Sequence, residues 1–181
     1  METIIDFRLS RDSYEYDVLA SEEISDSVVA LQQEDTPIVS IGDISTITGV
    51  AKSRKTFLTT AMIVAFLKSD GFMGLNSELQ NKKVLLIDTE QSRVFVQRVV
   101  RRIYRMLGYD YSIDVRDCLR VLSLRELTPE QRFEVIKETI ETYRPQLVFI
   151  DGTADLVNDT NSIEESTKMV NSLMRLSSER H

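Results

Sequence analysis

From Pro37 onward, short apolar runs alternate with stretches of helical period, whereas residues 1–36 are acidic and polar with no sustained period. Val84-Leu85-Leu86-Ile87-Asp88 and Leu147-Val148-Phe149-Ile150-Asp151 are continuous apolar runs closed by a carboxylate, the pattern of strands buried on both faces. The β-branched run Ile44-Ser45-Thr46-Ile47-Thr48, closed by Gly49, predicts a strand running into a turn, and Leu119-Arg120-Val121-Leu122 predicts a short one. Between them lie helices. Thr56 to Lys68 is apolar almost all round and predicts a helix buried against a sheet, with Gly71 and Gly74 opening the loop behind it. Val96, Val99, Val100, Ile103 and Leu107 form one face of an amphipathic helix that Gly108 ends. Thr128-Pro129-Glu130-Gln131 predicts a capping box with Pro at the first helical position, followed by the stripe Phe133, Ile136, Ile140 and Tyr143 and a stop at Arg144-Pro145. Ser162-Ile163-Glu164-Glu165 caps a last helix carrying Val170, Leu173 and Leu176.

This alternation predicts an α/β fold of three layers, a mainly parallel sheet flanked by helices on both faces. In such sheets ligands bind beyond the carboxyl ends of the strands. Gly49, Asp88 and Asp151 all fall at such ends. The length of 181 residues suits one domain, with residues 37–181 as the core and residues 1–36 as an acidic N-terminal arm.

Composition narrows the chemistry. The longest apolar run, Ala61 to Leu67, is far too short to span a membrane, and Met1-Glu2-Thr3-Ile4 lacks the basic start of a secretory signal, so a cytoplasmic protein is expected. One Cys (Cys118) and one His (His181) exclude a disulfide framework, a Cys/His zinc site and a Ser-His-Asp triad within this sequence. Chemistry must come from Lys, Thr, Asp, Glu and backbone. The net charge of −7 argues against a nucleic-acid coat, yet Arg93, Arg98, Arg101, Arg102 and Arg105 follow one another without an intervening acid. The face formed by Arg98, Arg101, Arg102 and Arg105 is either solvated or a contact for a subunit or a phosphate backbone.

Gly49-Val50-Ala51-Lys52-Ser53-Arg54-Lys55-Thr56 has the spacing of a phosphate-binding loop, G-x-x-x-x-G-K-[ST], with Arg54 in place of the second Gly. Such loops cradle phosphate on backbone N–H groups and a helix N-terminus, the Lys reaching β/γ oxygens and the hydroxyl holding Mg²⁺. The alternative is a strand-to-helix turn whose Lys and Thr only cap. An apolar strand ending in Asp151 downstream supplies the second, Mg²⁺-binding carboxylate of this architecture. At Arg54 we expect ordinary backbone, with Lys52, Arg54 and Lys55 adding cations near a triphosphate; a left-handed backbone there would cost a non-Gly residue roughly 1–2 kcal/mol.

Residues from about Pro37 to His181 resemble the RecA-like P-loop ATPases, in particular the replicative helicase and mobilisation branch of plasmids and mobile elements. The resemblance is carried by Ile41-Gly42-Asp43 and the strand to Gly49, by Lys55-Thr56, by Ile87-Asp88-Thr89-Glu90, and by Phe149-Ile150-Asp151-Gly152-Thr153-Ala154-Asp155-Leu156. It implies ATP and Mg²⁺ as ligands, with Lys55 stabilising the transferring phosphoryl group, Thr56 and Asp151 holding Mg²⁺, and Glu90 orienting or deprotonating the attacking water. Asp88 is the rival for that last role. The resemblance also implies single-stranded DNA as a partner and a homo-oligomeric ring. It further implies a later strand between those ending at Gly49 and Asp151, so a sheet incomplete at the C-terminus is expected, with marginal stability and self-association. The competing reading is a nucleotide-dependent regulatory or assembly module that does not hydrolyse.

Overall fold

The computed structural model describes residues 18–50 and 52–178. Its centre is a parallel sheet of β4 (Val84–Asp88), β5 (Leu119–Ser123) and β6 (Leu147–Asp151) in the order β5-β4-β6. Every residue of the middle strand, β4, is buried, which is why it reads as an unbroken apolar run. Alternation along it divides the core. Val84 and Leu86 pack with α1 (Lys55–Leu67) and α2 (Arg93–Leu107), while Leu85 and Ile87 pack with α3 (Pro129–Tyr143). The helices therefore flank both faces, as the pattern predicts.

Local signals account for the helix limits. Residues 60–66 of α1 are all buried. Helix α2 ends where Gly108 takes φ 76, and its Val96, Val99 and Ile103 face inward. At α3 the Thr128 hydroxyl accepts from the Gln131 amide, and the Gln131 side chain accepts from the Thr128 amide at 3.1 Å. The last helix, α4 (Ile163–Ser178), starts with the Glu165 amide donating to Ser162 Oγ at 3.2 Å. None of its residues is fully buried, so its apolar stripe is only half covered.

Two features depart from the sequence pattern. Ile44–Thr48 forms no strand: it runs without ladder pairing, and β6 pairs only with β4 among the described residues. β-branched residues favour extended backbone, but a strand exists only where a neighbour accepts its hydrogen bonds. The second is an antiparallel sheet of β1 (Val29–Gln33), β2 (Thr36–Ser40) and β3 (Leu75–Asn76). Ala30 and Leu31 of β1 are fully inaccessible and join the α1–α2 core, so the hairpin straddles the expected arm boundary at residue 36. Residues 1–17 of the expected arm lie outside the described residues.

Candidate nucleotide-binding site

The loop from Gly49 to Arg54 leads into α1. It is tight: a Cβ at Gly49 would stand 2.6 Å from Ser53 Oγ, and the Ser53 amide donates to Val50 O at 3.2 Å. Lys55 curls back into it, its Nζ donating to the carbonyls of Gly49 at 2.8 Å and Val50 at 3.3 Å. The ammonium thus rests on two loop carbonyls at the open end of α1, an end whose helix dipole favours an anion. Ala51 lies outside the described residues.

Arg54 corrects the expectation of ordinary backbone. It sits at φ 66, ψ 28 as the residue preceding α1 and makes no side-chain cap, and Lys52 is also left-handed at φ 64. The position asks for the glycine that the motif normally supplies. Arg54→Gly should relieve about 1 kcal/mol of strain and restore an acceptable N-cap, raising the melting temperature by about 2–4 °C. An unchanged or lower melting temperature in a calorimetric scan would show that the loop carries no such strain.

Across the sheet, Thr56 Oγ1 donates to Asp151 Oδ2 at 3.1 Å, joining residues 95 positions apart. The ends of β4 and β6 are fastened next to this pair. The Thr89 amide donates to Asp151 O at 3.1 Å, and the buried Thr89 hydroxyl donates to Gly152 O at 2.7 Å or Asp155 Oδ2 at 3.1 Å. Gly152 takes φ 96, and a Cβ there would overlap Thr89 Oγ1 and stand 3.4 Å from Glu90 Cβ. Gly152→Ala should cost at least about 2 kcal/mol, from left-handed backbone and overpacking together. Denaturant melts check this; a loss below the error of the melt would mean that the turn relaxes freely.

The two rival carboxylates differ in engagement. Asp88 is 4% exposed, and its oxygens accept from the Glu90 amide at 3.1 Å, the Gln91 amide at 2.7 Å and Gln91 Nε2 at 3.0 Å. Burial pushes its carboxyl above the usual carboxylate range; the Gln91 amide works against this, and the charge of Asp151 adds to it. Asp88 is therefore committed to shaping the β4–α2 turn. Glu90, two residues on, is exposed beside Gly152. Sequence reasoning assigns no role here to Thr89, although it lies in the Ile87–Glu90 stretch, and does not mark Gln91 or Arg132. Arg132 of α3 donates to the carbonyls of Leu124 and Arg125 at 3.0 and 2.8 Å and to that of Asp155, tying the β5 and β6 exits together.

Residues 30–181 match the family described as AAA domain. The chain belongs to that family. No curated protein and no solved structure matches it. AAA domains are nucleotide-binding ATPases of the P-loop type, and the α/β core with a parallel sheet between helices agrees with that class. In this AAA domain an open groove of about 660 Å³ lies beyond the far end of α1. Glu34, Asp35, Asp70 and Glu78 line it, a set that repels a triphosphate. No helix among the described residues is long and apolar enough to cross a membrane.

Proposed function

We propose that this AAA domain binds ATP with Mg²⁺ at the loop from Gly49 to Thr56 and hydrolyses it in a DNA-processing protein of the helicase, replication or mobilisation type. The observation that carries the site is the convergence of Thr56 and Asp151 at 3.1 Å, at the mouth of the lysine-bearing loop. A hydroxyl and a carboxylate are hard oxygen donors, and Mg²⁺ is commonly held by one or two such groups with phosphate and water completing the shell. Bound there, the ion would neutralise charge on the phosphate oxygens.

The chain's own groups take the remaining roles. Loop amides and the start of α1 hold phosphate, and Lys55 exchanges the Gly49 and Val50 carbonyls for phosphate oxygens. Glu90, exposed and free of the turn contacts that engage Asp88, orients or deprotonates the attacking water. Single-stranded DNA as the polymer and a ring of copies as the assembly complete the reading, on the resemblance to RecA-like ATPases.

The left-handed backbone of Arg54 favours a second reading, a nucleotide-dependent regulatory or assembly module without turnover. Steady-state and single-turnover ATPase assays with and without single-stranded DNA separate the two. DNA-stimulated hydrolysis supports the first. Tight Mg²⁺-ATP binding without product supports the second.

A further inference from the structure

A carboxylate that activates water must be held within about 0.5 Å of its productive position, so the backbone that carries it has to be fixed. The Glu90 side chain is exposed beside Gly152, and its hold comes from the residue before it. Thr89 is 1% exposed, and its hydroxyl stands 3.2 Å from Asp151 O, 2.7 Å from Gly152 O and 3.1 Å from Asp155 Oδ2. Those acceptors belong to one turn with bonds of its own. The Asp155 amide donates to Gly152 O at 3.0 Å, and Arg132 of α3 donates to the Asp155 carbonyl. The Thr89 amide carries the parallel pairing one step past Asp88 and Asp151, donating to Asp151 O at 3.1 Å.

We propose that Thr89 is the positioning residue for the water-activating carboxylate, its hydroxyl setting the place of Glu90 relative to the Thr56–Asp151 pair. On one side Thr89 is joined covalently to Glu90. On the other, its amide and hydroxyl grip the main chain of Asp151 and Gly152, and the Asp151 carboxylate in turn accepts from Thr56 Oγ1 at 3.1 Å. Gly152 belongs to the same fit: it leaves open the space that the Thr89 hydroxyl takes, and a Cβ there would meet both that hydroxyl and Glu90 Cβ. Asp88 does not duplicate this hold. It accepts from the Glu90 amide at 3.1 Å, which ties Glu90 to the end of its own strand and not to β6. In this role Thr89 acts through Glu90 and takes no part in nucleotide binding. The inference rests on the hydrolytic reading of Glu90 and adds what fixes that side chain in place.

Steady-state and single-turnover ATPase kinetics on Thr89 variants of the full chain test it, with rates normalised to nucleotide-binding sites so that misfolded molecules drop out. Thr89→Val fills the space without the proton and Thr89→Ala empties it, so a loss shared by both belongs to the hydroxyl. Each should lower kcat at least about tenfold, while KM and the affinity for a non-hydrolysable ATP analogue stay within about threefold. Thr89→Ser restores the hydroxyl and should keep kcat within about threefold of the parent chain. Added to Glu90→Gln, Thr89→Val should lower turnover by no more than about twofold further, because a residue that acts through Glu90 then has nothing left to position. Four results would overturn the inference and leave the hydrolytic reading standing: turnover kept in Thr89→Val and Thr89→Ala, a loss that Thr89→Ser shares, affinity that falls in step with turnover, or losses that multiply on the Glu90→Gln background. A parent chain without turnover, or full turnover in Glu90→Gln, would overturn both.

Discussion

Glu90→Gln is expected to leave nucleotide affinity within about threefold of the parent chain and to lower turnover by roughly 10²–10⁴-fold. The side chain is exposed beside Gly152 and takes no part in the turn that Asp88 holds, so its amide replaces it without disturbing the fold. A group that acts only as charge develops in the transition state affects the rate and not the ground-state complex. Asp88→Asn makes the contrasting case. Its carbonyl can still accept from the Glu90 and Gln91 amides, so the turn survives, and turnover should fall far less. Single-turnover kinetics on both variants decide between them: loss confined to Asp88→Asn would transfer the water-activating role to Asp88.

The second large effect belongs to Lys55. Charge-assisted hydrogen bonds contribute roughly 1.5–3 kcal/mol, so Lys55→Ala should weaken nucleotide binding by roughly 10–100-fold. Its stability should change little, because the bonds it gives up run from an ammonium to two loop carbonyls near the surface. An unaltered affinity would reduce the loop to a strand-to-helix turn in which Lys55 only caps.

The parallel core was legible because its signals are local or periodic. β4 and β6 are apolar runs bounded by Asp88 and Asp151, and α3 announces itself through Thr128, Pro129 and Gln131. Loop spacing, read together with a distant strand-ending Asp, sufficed to bring Thr56 and Asp151 to one place. What escaped depends on partners that sequence does not name. Ile44–Thr48 has strand-forming residues but joins no ladder among the described residues. The β1–β2 hairpin turns at Glu34-Asp35, with Glu34 at φ 54, where Asn or Gly would have signalled the turn. Arg54 escaped for the same reason, since a left-handed backbone is invisible when the residue holding it is not glycine. Thr89 and Gln91 gain their roles only once β4 lies against β6 and Asp88 is buried, which are tertiary events.

Calorimetric titration of a non-hydrolysable ATP analogue into the 181-residue chain, with and without Mg²⁺, tests the central assignment most directly. One site per chain is expected, with affinity that drops when Mg²⁺ is withheld or when Thr56 and Asp151 are replaced by Val and Asn, and drops further in Lys55→Ala. Saturable binding that is indifferent to Mg²⁺ and to all three substitutions would contradict the assignment, as would the absence of binding in the parent chain.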